Sequence, residues 1–546
     1  MTDRRFCARW TTRWAPVAVL LLLAVGSGCS SSTAASAPGT TKLESPGPPQ
    51  NGGVMSIGLP EESRGWDPTK VLWLISNYTE AWAIFDPLAA FDADGQVQPY
   101  LASAFVPNAT FTDWTIRLRP GVRFHDGTPV DGAAVKKNLD AHRNSLVTGS
   151  AITPIVGIDV TDPLTVQVHM STPWSTFPST LVGQVGAIAA PAMLDAADGA
   201  TKPVGSGPFE FDSWNIDSTL TVRRNPTYWQ PGLPHLDKIV FHTIPDAQAR
   251  SKALEAGDVD LAMSTSPSDM GQFAATPEAK FKVASTEGIQ DVALVIGLNS
   301  AKAPFDDPVA REALDRALDR PEMSAALFDG AFPPAYSPFE PTSRYFVDVK
   351  AKNQHDADAA RRLAAQYEAS HGHKISLQLT VVSSPELATM AQLVQQQLQD
   401  VGIDVTIDRV DVTKGVIQVL AGQYQAFAYE MFGAPNLDVN YTFFASKPGG
   451  PDQLSPNLVR LFDPELTGAM DRARATDDPA QQFQAYQQAQ ERLADDHALL
   501  PVIHKRTALI SSTRVQGVSQ YVLPNGQPSR FGFSTNVFFG GLWIER

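Results

Sequence analysis

The sequence predicts an α/β fold in two lobes. Two observations carry that reading: a pair of strand–helix–strand units set far apart in the chain, and a length of 546 residues, too great for one ordinary core. In the first unit Ile239 to Ile244 reads as a strand, Ala247 to Ala256 as a helix stopped by Gly257, and Val259 to Met263 as a second strand. In the second, Ile375, Leu377, Leu379 and Val381 alternate as a half-buried strand does. Ser384 then offers an N-cap and Pro385 a first helical position, and Leu387, Met390, Leu393, Val394 and Leu398 recur at helical spacing until Gly402 ends the helix. Alternation resumes at Ile403, Val405 and Ile407, so the unit requires a right-handed parallel crossover. No internal repeat of solenoid or propeller length is visible.

The first 29 residues stand apart from this body. Arg4, Arg5, Arg9 and Arg13 form a basic leader, and Val17 to Val25 is an apolar run closed by Gly26-Ser27-Gly28-Cys29. The run is about half the roughly 20 residues that span a bilayer, which is the pattern of a secretory signal peptide. The cysteine at its end resembles that of a bacterial lipobox, with Gly26 standing where such motifs usually carry Leu or Val. Cys7 lies in the discarded leader, so Cys29 is the one exported thiol, and acylation is its expected fate. Ser30 to about Gln50 is Ser, Thr, Ala, Gly and Pro with almost no large apolar side chain, and reads as a tether.

Charge and chemistry exclude more than they identify. A formal net charge of −15, with no basic stripe, argues against a nucleic-acid partner and against contact with anionic lipid beyond the anchor. Two cysteines make neither a disulfide framework nor a zinc ribbon. Gly-x-Ser-x-Gly, phosphate-loop, Gly-x-Gly-x-x-Gly and His-Glu-x-x-His motifs do not occur. His371 and His373, near Glu368, lie in a polar turn and are expected to face solvent rather than ligate a metal. Gly205-Ser206-Gly207-Pro208 is expected to be a tight interlobe turn. No enzymatic activity, cofactor or metal is expected.

Six motifs in order then carry a family resemblance. These are Leu118-Arg119-Pro120-Gly121-Val122-Arg123-Phe124-His125-Asp126-Gly127-Thr128-Pro129 with Val135 and Asn138, Val204 to Phe209, Arg224-Asn225-Pro226-Thr227-Tyr228-Trp229, and Ala253 to Asp260. Asn299 through Pro304 to Asp307, leading into Arg311 and Ala317 to Arg320, and the helix Phe483 to Leu493 before Leu500-Pro501, complete the series. The chain resembles the family 5 extracellular solute-binding proteins, the peptide- and nickel-binding receptors of bacterial ABC importers. The resemblance implies a type II periplasmic-binding-protein fold with an inserted subdomain in lobe I. Residues 1–28 would be the signal peptide, 29–52 the lipidated disordered tether, 53–85, 198–289 and 517–546 lobe I, 86–197 the insertion, and 290–516 lobe II.

The resemblance also places a ligand between the lobes. After Asp67-Pro68, residues Leu72, Trp73 and Leu74 would form the lobe I wall, and Phe432, Gly433, Ala434, Asn436 and Asp438 the lobe II wall, with His504 where relatives present a tyrosine. Two departures bear on the solute. Pro435 stands where peptide-binding relatives place an amine-binding Asp, and Val382-Ser383-Ser384-Pro385 lacks the carboxylate-binding Arg of dipeptide-binding relatives. The expected role is a monomeric, lipid-anchored receptor on the outer face of the cell membrane, handing a peptide or peptide-like solute to an ABC permease. The alternatives are an envelope regulatory or scaffolding lipoprotein on the same fold, and a receptor for a non-peptide apolar solute.

Overall fold

The computed structural model describes residues 47–276, 280–286, 292–431, 436–445, 454–519, 521–529 and 537–546. The expected signal peptide, Cys29 and the tether up to residue 46 lie outside the described residues, as do Phe432, Gly433, Ala434 and Pro435.

Two large sheets organise the chain. The first has seven strands, from edge to edge Phe281–Ser285, Ala508–Ser512, Leu261–Ser264, Val54–Leu59, Lys238–Thr243, Thr219–Arg224 and Phe209–Asn215. Val54–Leu59 pairs in parallel with both Lys238–Thr243 and Leu261–Ser264, so the crossover through helix Ala247–Ala256 steps over one strand. The helix starts because Asp246 accepts from the Ala249 N–H, and stops because Gly257 takes the left-handed conformation at φ 81°. The second sheet has five strands in the order Asp404–Val410, Ser376–Val382, Ala426–Met431, Val292–Leu298 and Leu499–Lys505. Its predicted crossover is present: Ser376–Val382 and Asp404–Val410 pair in parallel around helix Pro385–Gln399, whose Leu387 N–H is capped by the Ser384 hydroxyl at 3.1 Å. An antiparallel four-stranded sheet of Ala102–Pro107, Asp113–Leu118, Thr165–Met170 and Ile155–Asp162 makes the insertion.

Burial follows the sheets. One core runs from Met55 and Ile57 through Trp66, Trp82 and Phe85 into the insertion at Trp114, Val168 and Trp174, so the first sheet and the insertion form one body, lobe I. The five-stranded sheet is covered on one face by the core around Leu294, Met390 and Val405, and on the other by that around Val295, Met470 and Tyr486, which makes lobe II. The Ser376–Val382, Asp404–Val410, Ala426–Met431 and Leu499–Lys505 strands all end at the same edge. That carboxyl edge is where open α/β sheets bind ligands.

Two expectations are corrected. Lobe II was expected to run to residue 516, yet Ala508–Ser512 is hydrogen-bonded into the seven-stranded sheet, so the chain leaves lobe II between Lys505 and Ala508. The polar run His504-Lys505-Arg506-Thr507, breaking two apolar stretches, was the available signal. The Gly205-Ser206-Gly207-Pro208 turn lies within lobe I rather than between lobes. There it packs against the end of helix Ile75–Ile84, with the Gly207 N–H on the Ile84 carbonyl at 2.8 Å.

A Cβ on Gly205 would stand 2.1 Å from the Ile84 oxygen. Gly205→Ala is therefore expected to cost about 1–3 kcal/mol through overpacking, read as a lower urea midpoint at unchanged slope.

Candidate functional site

Lobe I reaches the carboxyl edge through the loop after strand Val54–Leu59. The loop is braced from beneath. Ser63 Oγ and Trp66 Nε1 donate to the Glu80 carboxylate, the latter at 2.9 Å, and Asn77 Nδ2 donates to the Gly65 carbonyl at 3.1 Å. Gln184 of the insertion donates to the Pro68 and Val71 carbonyls at 2.8 and 2.7 Å and accepts from the Trp73 N–H. Burial pushes the Glu80 carboxyl up to about 8, the Ser63 and Trp66 donors opposing it, so the brace is neutral at pH 7.

Within this loop the three expected wall residues part company. Leu72 is exposed and Leu74 half-buried, whereas Trp73 is 1% exposed and packs with Tyr78, Trp82 and Phe85 at centroid distances of 5.6, 6.4 and 5.9 Å. Trp73 is thus part of the lobe I core.

On the lobe II side, Asn436 accepts from the Asp438 N–H at 3.2 Å and caps the short turn Leu437–Asn440. Asp438 is buried, and its carboxylate is already occupied. It accepts from Trp174 Nε1 at 2.6 Å and Thr176 Oγ1 at 2.7 Å, both from the insertion, and pairs with Arg474. His504 is also buried, with Nδ1 unpartnered; burial lowers its pKa to about 4, the Glu340 charge opposing, so the ring is neutral. The predicted residues Phe432, Gly433 and Ala434 lie outside the described residues.

The carboxyl edge itself holds charges that no sequence motif announced. Lys505 Nζ donates to Glu430 at 2.6 Å and to Glu386 at 3.1 Å. Burial works against the ammonium, yet the Glu430 and Glu386 charges outweigh it and hold the pKa above its ordinary value. Glu61 arrives from lobe I. Burial first, and then the Glu430 charge, push its carboxyl up, while Lys505, Arg250 and Arg64 pull it down. Its Oε2 and the Oε1 of Glu386 are buried without a hydrogen-bond partner. Glu386 and Lys505 are separated by 119 residues and Glu430 and Lys505 by 75, distances over which residue spacing carries no signal. Chemically the arrangement can hold and orient a solute. Among the described residues no group of three or more His, Cys, Asp or Glu could hold a metal ion, and no helix is long and apolar enough to cross a membrane.

Lys505→Met leaves two carboxylates facing each other without their cation. It is expected to cost about 3 kcal/mol, the lower end for breaking a buried pair because both glutamates keep some solvent contact, measurable by denaturant unfolding. Glu80 ionises near 4.3 in the unfolded chain but near 8 in the fold, so its stabilising contribution is complete below the first value and is lost as pH rises through the second. Glu80→Gln should therefore flatten that part of the stability profile. The measurement is the wild-type minus variant Tm from pH 4 to 9, and a difference constant across that range would refute it.

Comparison with known proteins identifies the fold and the family. The chain is 27% identical over 466 residues to the glutathione-binding protein GsiB of Escherichia coli K12, covering 82% of this chain and 87% of that one. Among solved structures, AgaA from A. tumefaciens R10 in complex with agropinic acid superposes with a TM-score of 0.80 at 24% identity, over 90% of this chain and 99% of its own. DppA from Helicobacter pylori, in complex with the peptide STSA, gives 0.78 at 22% identity over 91% and 99%. The profile of bacterial extracellular solute-binding proteins, family 5 (Middle), matches residues 96–452, and the chain belongs to that family.

Proposed function

We propose that this chain is the receptor of an ABC importer, capturing a peptide or peptide-like solute between its lobes and presenting it to a membrane permease. The observation that carries the reading is the arrangement of the sheets. Four strands of lobe II end at one edge, the chain crosses to lobe I from that same edge, and the braced loop of lobe I brings Glu61 to it. Such a connection leaves each open lobe with half a site, and a solute touching both halves favours the closed form by its differential affinity. We assign solute contact to Leu72 and Leu74, with Trp73 anchoring their loop in the lobe I core, and, from the family resemblance, to Phe432, Gly433, Ala434, Asn436 and His504. The chain acts by binding alone, as a monomer held to the outer face of the membrane by acylated Cys29.

A non-peptide solute is the second reading. It is favoured by Pro435 and by the Val382–Pro385 loop, which lack the charged anchors of short-peptide receptors, and by the agropinic acid complex of AgaA. Asp438 cannot substitute for the missing amine anchor while three protein donors occupy it.

Native mass spectrometry of the protein as purified identifies what it carries. A peptide is expected, and N-acetylating that peptide should change its affinity less than threefold in calorimetry. A carried solute without peptide bonds would move the conclusion to the second reading, and no solute from any growth medium would sink both. Cys29→Ser is expected to release the protein from the membrane fraction, and a variant that stays bound would end the anchor assignment.

A further inference from the structure

The contact between the insertion and lobe II at Trp174 to Thr176 is built more completely than a chance touch of two surfaces. Trp174 is 1% exposed, Asp438 4% and Arg474 5%. Both Asp438 oxygens are used: one pairs with Arg474, and the other accepts from the Trp174 indole at 2.6 Å and the Thr176 hydroxyl at 2.7 Å. The Arg474 guanidinium lies between two rings, 4.7 Å from the Trp174 centroid in lobe I and 3.6 Å from that of Tyr441 in lobe II. Between them the Ser175 N–H donates to the Arg474 carbonyl at 2.6 Å, and the Ser175 hydroxyl to the Thr476 carbonyl at 2.6 Å.

We propose that these residues form a closure latch, in which Trp174-Ser175-Thr176 of the insertion is the bolt and Asp438, Arg474 and the Thr476 carbonyl are the keeper. The inference rests on the reading of the protein as a two-lobed receptor. When the lobes part, Asp438 and Arg474 stay together, because both belong to lobe II, while the Trp174, Ser175 and Thr176 donors exchange their partners for water. The latch therefore supplies differential contacts that exist in the closed form and involve no solute. It sets the closed fraction of the empty protein, and through that fraction scales the apparent affinity for every solute alike. Asp438 is then a positioning residue for capture, acting on the closing equilibrium.

The test measures the interlobe distance in solute-free protein. The full chain with Cys7 and Cys29 replaced by serine has no other cysteine, so spin labels can be placed at Leu146→Cys in the insertion and Ile417→Cys in lobe II, both exposed. Solute is removed by unfolding and refolding, and distances are read by double electron–electron resonance. Asp438→Asn and Trp174→Phe are each expected to lower the closed-to-open ratio at least tenfold. Trp174→Phe leaves lobe II untouched and removes one indole donor, so it keeps the test decisive if Asp438→Asn does not fold. A distance distribution identical to that of the parent in the folded variants overturns the latch. Because no solute is present, that result would leave the receptor reading standing.

Discussion

The arrangement of both lobes depends on a short stretch where two segments of chain cross between them side by side. The Thr286 N–H donates to the Thr507 carbonyl at 2.9 Å, and the Thr507 N–H donates to the Thr286 hydroxyl at 3.1 Å. Both threonines are buried, so these bonds are shielded from competing water. One crossing feeds Val292–Leu298 and the other receives Leu499–Lys505, and these two strands pair with each other, the second at the edge of the lobe II sheet and the first beside it. Pairing at the crossing therefore determines which sheet edge faces lobe I. Lys505, paired with Val292 in that register, must stand at that edge, and Glu386 and Glu430 converge on it because their strands or helix begin or end there.

A discontinuous lobe needs a second kind of tie, and the family motifs provide it. Asp86, at the start of the insertion, accepts from Tyr228 at 3.0 Å, Trp229 at 2.8 Å and Ser206 at 3.2 Å, while the Tyr100 hydroxyl meets Tyr228 and Tyr521 at 3.2 and 3.0 Å. One buried network thus joins the insertion, the middle segment and the C-terminal return. Asp86 is buried, and burial pushes its carboxyl up to about 7 against the pull of those three donors. The Asn225-Pro226-Thr227-Tyr228-Trp229 motif is accordingly scaffold.

Both crossover units were legible in the sequence because their signals are local. Alternation at Ile375 to Val381, the Ser384 cap and Gly257 each depend on neighbours a few residues away. The site was less so. Leu72, Trp73 and Leu74 form an apolar triplet in a loop, and no periodicity there says which member turns inward; the large indole does, because the cluster of Tyr78, Trp82 and Phe85 offers it more apolar contact than the surface can. Asp438, expected on the lobe II wall, is instead engaged by protein donors. Its donors Trp174 and Thr176 lie 264 and 262 residues away, so its engagement is a property of tertiary structure alone. The exit from lobe II falls in the polar His504 to Thr507 run rather than at residue 516, because Ala508–Ser512 is paired into the seven-stranded sheet, a long-range contact that local sequence does not show.

Two of the contacts between the lobes act on the proposed closing equilibrium in opposite directions. At the carboxyl edge, Glu61 of lobe I faces the like charge of Glu430 in lobe II, a repulsion that the Lys505 cation opposes. At Trp174 closing completes a set of hydrogen bonds whose charged members were already paired. A receptor needs this opposition. With the favourable contact alone the empty protein would stay shut, and with the unfavourable one alone a solute would have to supply all the free energy of closing. When the two nearly cancel, a solute contributing a few kcal/mol of differential affinity is enough to move the population from mostly open to mostly closed.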